Sequence, residues 1–267
     1  MELHALLGIE PGRIGVVVAH PDDESFGLGG VLAELADEGS TLHVLCLTHG
    51  EASTLADGPR LGAIRAEELE SAAASLGVEA VTLLDMEDGQ LCHCTDDEMD
   101  AEITRWLPEG VIALVVFESG GVTGHPDHRA ASASAFRVAD ALRIPVLEWG
   151  LDPMSAQRLR EELGLPFKWI PDGAGVIDIR VGRDVQLRAI RCHRSQLDED
   201  PVVLRRLAVQ ERCDGIATFG RGESHSRREP FQRGDKGVHQ GTRTVCRAIV
   251  PAVSRSSLIT SGRCSAC

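Results

Sequence analysis

The chain has 267 residues, 43% of them hydrophobic and 25% charged, which gives it the length and apolar content to bury a core and sets it apart from disordered and fibrous chains. Its net charge of −14 excludes binding that depends on clustered Lys and Arg meeting a phosphate backbone, so nucleic acid is not expected as a partner. The charge is uneven: residues 221–267 carry nine basic and three acidic side chains, a net of +6, and the remainder of the chain therefore carries −20. No run of about 18 apolar residues supplies a transmembrane segment. The N-terminal MELHALLGIEPG lacks the basic start and cleavage site of a secretory leader, so a cytoplasmic location is expected, with its eight cysteines as reduced thiols or small hydrophobes rather than disulfides.

The first predicted element is a β-branched strand, RIGVVVA at 13–19, of the kind buried on both faces. Leu28, Val31, Leu32, Leu35 and Ala36 then recur at helical spacing up to a stop at Gly39, and TLHVLCL at 41–47 reads as a second strand. A helix rich in Ala, Glu and Leu is predicted over 62–76, a strand at 79–84, and a helix over 95–107 opened by a Thr95/Glu98 capping box. The strand VIALVVF at 111–117 follows, and further on a strand at 144–149, a helix at 153–163, a strand at 176–180 and a helix at 184–196. Such alternation predicts an α/β fold: a Rossmann-like, mostly parallel sheet covered by helices on both faces. The domain is expected to span 1–220. Residues 221–267, rich in Gly, Ser and Arg with little periodicity, read as a basic, mobile C-terminal tail.

Ligands of such sheets bind at the carboxyl ends of the strands, near the point where strand order reverses. The polar motifs fall at those ends. AHPDDE (19–24) follows the first strand, THGE (48–51) the second, and GHPDH (124–128) lies in the loop after the strand at 111–117. His20, Asp22 and Asp23 share one tight turn stiffened by Pro21, and His125, Asp127 and His128 share another stiffened by Pro126. Two histidines, an aspartate and a water make the usual set of a catalytic zinc site with an open position. The alternative is that these residues cap helices and decorate loops, as Asp and His do singly.

AHPDDE together with GHPDHR (124–129) resembles the LmbE-like, or PIG-L, family of zinc-dependent N-deacetylases. The resemblance extends through THGE, Arg65-x-x-Glu68-Leu69, Asp88-Gly89 and His193-x-Ser195-Gln196, and covers roughly residues 12–200. It implies one Zn2+ per chain held by His20, Asp23 and His128, with Asp22 as general base beside it. It also implies His125 as stabiliser of the tetrahedral oxyanion, Asp127 as the carboxylate that hydrogen-bonds His125, and Arg65 and Asp88 as contacts to substrate. Other divalent metals could fill the same donor set. For Arg65 the alternative is a helix-surface ion pair with Glu68, for Asp88 a plain turn before Gly89. Glu24 is expected to point away from the metal and serve the turn or the helix start, and His193 to have a packing or hydrogen-bonding role on a helix.

The implied activity is removal of an N-acetyl group from an N-acetylglucosaminyl-type small molecule. Its rivals are an amidase for a larger acyl group, such as a thiol-conjugate amidase, and a non-catalytic sugar-binding relative. Gly27-Leu28-Gly29-Gly30 does not match the dinucleotide spacing and reads as close helix packing on the sheet. Cys92-His93-Cys94 and the pair Cys264 and Cys267 each look like half a metal site without a partner, and Ser25 lacks the strand-turn setting of a nucleophilic serine. Nothing in the sequence sets an oligomeric state.

Overall fold

The computed structural model describes residues 3–56, 58–170, 176–197 and 201–219. The expected mobile tail and the terminal cysteine pair lie outside the described residues. A short helix α1 (Leu3–Leu7) precedes strand β1 (Arg13–Val18), which runs into α2 (Asp23–Phe26), α3 (Gly29–Asp37), β2 (Thr41–Thr48), α4 (Leu61–Ser75) and β3 (Val78–Met86). After a 3-10 turn at Leu91–His93 come α5 (Asp96–Trp106), β4 (Val111–Phe117), α6 (Pro126–Leu142), β5 (Val146–Gly150) and α7 (Pro153–Leu163). The described chain closes with β6 (Val176–Arg180), α8 (Arg183–Ile190), α9 (Arg194–Leu197), α10 (Pro201–Gln210) and β7 (Cys213–Phe219).

The strands form one seven-stranded sheet in the order β3-β2-β1-β4-β5-β7-β6. β1 pairs in parallel with both β2 and β4, with Val16 opposite Val44 on one side and Val115 on the other. Chain order reverses there, which opens the crevice at the strand ends. β7 runs antiparallel to both β5 and β6, the one departure from the parallel arrangement. The β1 side chains alternate between two cores. Ile14, Val16 and Val18 join residues of α1, α3, α4 and α8, whereas Val17 and Ala19 join residues of α5 and α6. Both faces of the sheet are thus covered, as the continuous apolar run of β1 requires.

The Thr95 capping box forms as expected: Glu98 donates its N–H to Thr95 Oγ1, and Thr95 donates its own N–H to the Glu98 carboxylate at 2.8 Å. Two expectations change. GHPDH is not wholly a loop, because Pro126 begins the 17-residue helix α6; the Ala- and Ser-rich ASASA stretch gave it too little apolar contrast to stand out. The expected helix over 184–196 is broken into α8 and α9, and His193 sits in the break, where it is fully buried. α1, α10 and β7 were not anticipated.

The glycines after β1 do allow close packing. An added Cβ would overlap the Phe117 ring at Gly27 and lie 2.9 Å from both Asp214 Oδ2 and Val181 Cγ2 at Gly30. Gly27→Ala is therefore expected to cost about 1–3 kcal/mol, as overpacking does. In a urea titration the midpoint should fall at unchanged slope; an unchanged midpoint would mean that Phe117 gives way freely.

Candidate active site

The turn after β1 is built around two aspartates with opposite tasks. Asp23 folds back on the strand end, its Oδ2 accepting N–H bonds from Ala19 (3.1 Å) and His20 (2.9 Å), which leaves Oδ1 facing His128. Asp22 takes up φ 131°, a conformation that side-chain-bearing residues rarely adopt. Its carbonyl accepts the N–H groups of Ser25 (3.0 Å) and Phe26 (2.6 Å), which starts α2.

The second cluster is set by the start of α6. His125 is the N-cap, Pro126 occupies the first turn, whose N–H groups need no helical partner, and Asp127 and His128 follow within that turn. The loop leading there is braced from below. The buried Glu118 carboxylate accepts N–H bonds from Gly120 (2.6 Å) and Val122, and Glu148 accepts that of Ser119 (2.8 Å).

These two starts bring donor atoms of three residues together. His20 Nδ1 lies 3.2 Å from His128 Nε2 and 3.7 Å from Asp23 Oδ2, and His128 Nε2 lies 3.1 Å from Asp23 Oδ1. Ligands about 2.0–2.1 Å from a tetrahedral zinc are spaced about 3.3 Å apart, so the set has the separation a small divalent ion requires. His20 also belongs to two other groupings, one with His125 and His128 and one with Asp88 and Asp127. In the latter, Asp88 Oδ1 is 3.0 Å and Asp127 Oδ2 3.4 Å from His20 Nε2, close but off the line of a good hydrogen bond. Those carboxylates are already held, Asp127 by the N–H groups of Gly89 (2.7 Å) and Leu91 (3.1 Å), Asp88 by that of Ala52 (2.9 Å). Fixed in this way, they suit orientation of the far side of the His20 ring while Nδ1 faces the other donors.

Burial and charge act together on the titrating groups. Burial opposes charge on His20, but the carboxylates of Asp127, Asp88 and Asp23 outweigh it and lift its pKa to about 10. Burial would raise Asp23, yet His128 and His20 hold it well below the usual carboxylate range. Asp22 is pushed up to about 6 by burial, with Arg65 pulling the other way. His125 is held down to about 4 by burial and by the neighbouring charges of His128 and His20, so its ring is neutral.

The structure brings all eight expected site residues together but changes the contacts of three. Arg65 is neither a surface partner of Glu68 nor free to grip a ligand with its whole fork. It is buried and donates to Gly50 O (2.6 Å), Pro21 O (2.5 Å) and Asp22 Oδ2 (2.9 Å). Gly50 makes this possible, because its φ of +63° and the guanidinium lying where a Cβ would project both demand glycine. Asp88 is not a plain turn residue but a neighbour of His20. The Asp127 carboxylate does not bond His125; instead the Asp127 backbone N–H donates to His125 Nδ1 at 3.3 Å. The His125 hydrogen is thereby left on Nε2.

Sequence reasoning gave little weight to the residues behind the turn. Glu24, fully buried, accepts the Asp22 N–H (3.0 Å) and lies 2.7 Å from His193 Nε2. Ser195 donates its N–H and hydroxyl to Glu68, and Ser53 donates to Gln196 (2.6 Å). The His193-x-Ser195-Gln196 motif was visible; its partners, far away in sequence, were not. In front of the turn is a cavity of about 410 Å³ whose lining includes the polar Ser53, Thr54, Arg65, Asp88 and Gln196 together with the apolar Phe26, Phe117, Val122, Trp149, Phe167 and Val203.

Arg65→Ala would leave the Asp22 carboxylate and two carbonyls without their donor, and a loss of about 3–5 kcal/mol is expected from breaking such a buried pair. Equilibrium urea unfolding of the two proteins measures it; a loss under about 1 kcal/mol would place Arg65 in the class of surface ion pairs instead.

The sequence model for PIG-L, described as GlcNAc-PI de-N-acetylase, matches residues 15–139. Diacetylchitobiose deacetylase of Thermococcus kodakarensis is 31% identical over 206 residues, covering 70% of this chain and 71% of that protein. A 1D-myo-inositol 2-acetamido-2-deoxy-alpha-D-glucopyranoside deacetylase of Mycolicibacterium vanbaalenii is 27% identical, covering 72% of this chain and 84% of its own. In fold, the chain resembles the solved N,N'-diacetylchitobiose deacetylase of Pyrococcus horikoshii with a TM-score of 0.57 at 21% identity, over 82% of this chain and 90% of that one. Sharing most of its length with such relatives, and carrying AHPDDE and GHPDH where the strand ends meet, the chain belongs to the PIG-L, or LmbE-like, deacetylase family.

Proposed function

We propose that this protein is a zinc-dependent N-deacetylase that hydrolyses the acetamide of an N-acetylglucosaminyl-type small molecule. The observation that carries the reading is the convergence of His20 Nδ1, Asp23 and His128 Nε2 at 3.1–3.7 Å beside a cavity that Asp22 and His125 also line. Two imidazole nitrogens and one carboxylate oxygen fit zinc, and these residues would hold it. A zinc ion bound there supplies Lewis acidity, polarising the amide carbonyl and acidifying water.

The chain's own groups do the rest. Asp22, ionised at neutral pH and fixed by Arg65, takes the proton of the attacking water as its oxygen reaches the acyl carbon. His125, with its hydrogen on Nε2, donates to the oxyanion that forms. Asp22 then returns its proton to the departing nitrogen as the carbon–nitrogen bond breaks, releasing acetate and a free amine. The polar lining residues suit sugar hydroxyls and the apolar ones the acyl group. Relatives named for diacetylchitobiose and for an acetamido-glucosyl inositol support the substrate class. The aromatic lining residues Phe26, Phe117, Trp149 and Phe167 favour, as a second reading, an acyl group longer than acetyl.

Zinc-loaded enzyme tested on N-acetylglucosamine, diacetylchitobiose and a glucosaminyl inositol amide should release acetate, and chelation should abolish release until zinc is restored. Asp22→Asn should retain its zinc but lose about 10²–10⁴ in kcat. No release from any of the compounds by zinc-loaded protein would contradict the reading. A higher kcat/KM for N-butyryl than for N-acetyl substrates would select the larger-acyl amidase.

A further inference from the structure

Resting on the reading of Asp22 as the base, we infer that Glu24 and His193 are positioning residues that hold it in its working conformation. Asp22 sits at φ 131°, and backbone in such a region persists only where its surroundings over-determine it. Its restraints can be enumerated. Arg65 holds the carboxylate, the N–H groups of Ser25 and Phe26 hold the carbonyl, and Glu24 Oε2 holds the amide at 3.0 Å. Glu24 and Arg65 share the peptide immediately before the strained φ angle, Glu24 on its N–H and Arg65 on the Pro21 carbonyl at 2.5 Å.

Glu24 can serve only if its own carboxylate is held. It is 0% exposed, and a polar group so placed needs hydrogen-bond partners. Its Oε1 receives the Ser25 hydroxyl at 2.5 Å and lies 2.7 Å from His193 Nε2. His193, also 0% exposed, is fixed by the break between α8 and α9: its N–H donates to Ile190 O (3.1 Å), and its carbonyl accepts from Gln196 (3.1 Å) and Leu197 (2.9 Å). The edge of its ring packs against Phe26, and Gln186 of α8 donates to Ser25 O at 3.0 Å, so the same corner grips α2 at a second point. Neither Glu24 nor His193 lines the cavity, so they act on the reaction through Asp22 and not on substrate.

The test compares zinc-loaded wild type with Glu24→Ala, Glu24→Gln and His193→Gln, measuring kcat, KM and zinc content, and solving the structure of each variant. Glu24→Ala and His193→Gln should lower kcat about tenfold to a hundredfold, as loss of outer partners of a site typically does, with KM and zinc content unchanged. Glu24→Gln keeps an oxygen for the Asp22 N–H and should recover most of the loss. In the Glu24→Ala structure Asp22 should leave the positive-φ region, while in Glu24→Gln it should stay. If Glu24→Ala does not fold, His193→Gln decides by the same readouts. Unchanged kcat in folded variants, a loss that follows zinc content, or an Asp22 φ that stays near 131° without Glu24 would each overturn the proposal. The φ readout needs no turnover, so it tests the positioning role even if wild type hydrolyses no amide and the deacetylase reading falls.

Discussion

The turn at the carboxyl end of β1 has to send two consecutive aspartates in different directions, and much of the surrounding structure follows from that requirement. Asp23 can bend back onto the Ala19 and His20 amides only if the chain reverses sharply after Pro21, and the reversal forces Asp22 into a positive φ. That conformation is costly on its own, so it must be held from several sides. Arg65 from α4, Glu24 within the turn and His193 from the α8–α9 corner supply the hold, and Gly50 is the vacancy through which Arg65 reaches.

The sheet order places this turn where its partner can reach it. Because β1 lies between β2 and β4, the loop after β1 opens toward the start of α6, and His128 on the first turn of that helix meets Asp23 at 3.1 Å. The loop after β3 closes the third side, with Asp88 beside His20 and the Gly89 and Leu91 amides on Asp127. A donor set assembled from separate elements, each anchored to a buried sheet, is held in place by packing and backbone hydrogen bonds.

Much of this was legible in the sequence for physical reasons. β-branched runs bounded by glycine and polar turns mark strands buried on both faces, and β1, β2, β4 and the Thr95 cap fell where that reading put them. His20, Asp22, Asp23, His125, Asp127 and His128 stood out because His and Asp clustered around proline at strand ends seldom serve packing alone, whereas Arg65 and Asp88 entered only through the family resemblance. What could not be read were pairings with no local signature. Nothing in the neighbourhood of Arg65 tells that its guanidinium turns inward to Asp22, and Glu68, three residues on, is taken up by Ser195. His193 was expected on a helix, but it falls in the break between α8 and α9, and its partner is a buried glutamate 169 residues earlier that leaves no local signature. α6 escaped because its alanines and serines pack through small size and not through hydropathy.

The central claim is that His20, Asp23 and His128 form one metal site, with His125 beside it and outside it. Zinc K-edge absorption on the zinc-loaded protein, paired with metal content of Asp23→Ala, His128→Ala and His125→Ala, tests this most directly. The expected result is one zinc per chain with two imidazole nitrogens and one protein carboxylate oxygen, lost in the first two variants and retained in the third. Zinc kept in Asp23→Ala but lost in His125→Ala would contradict the account.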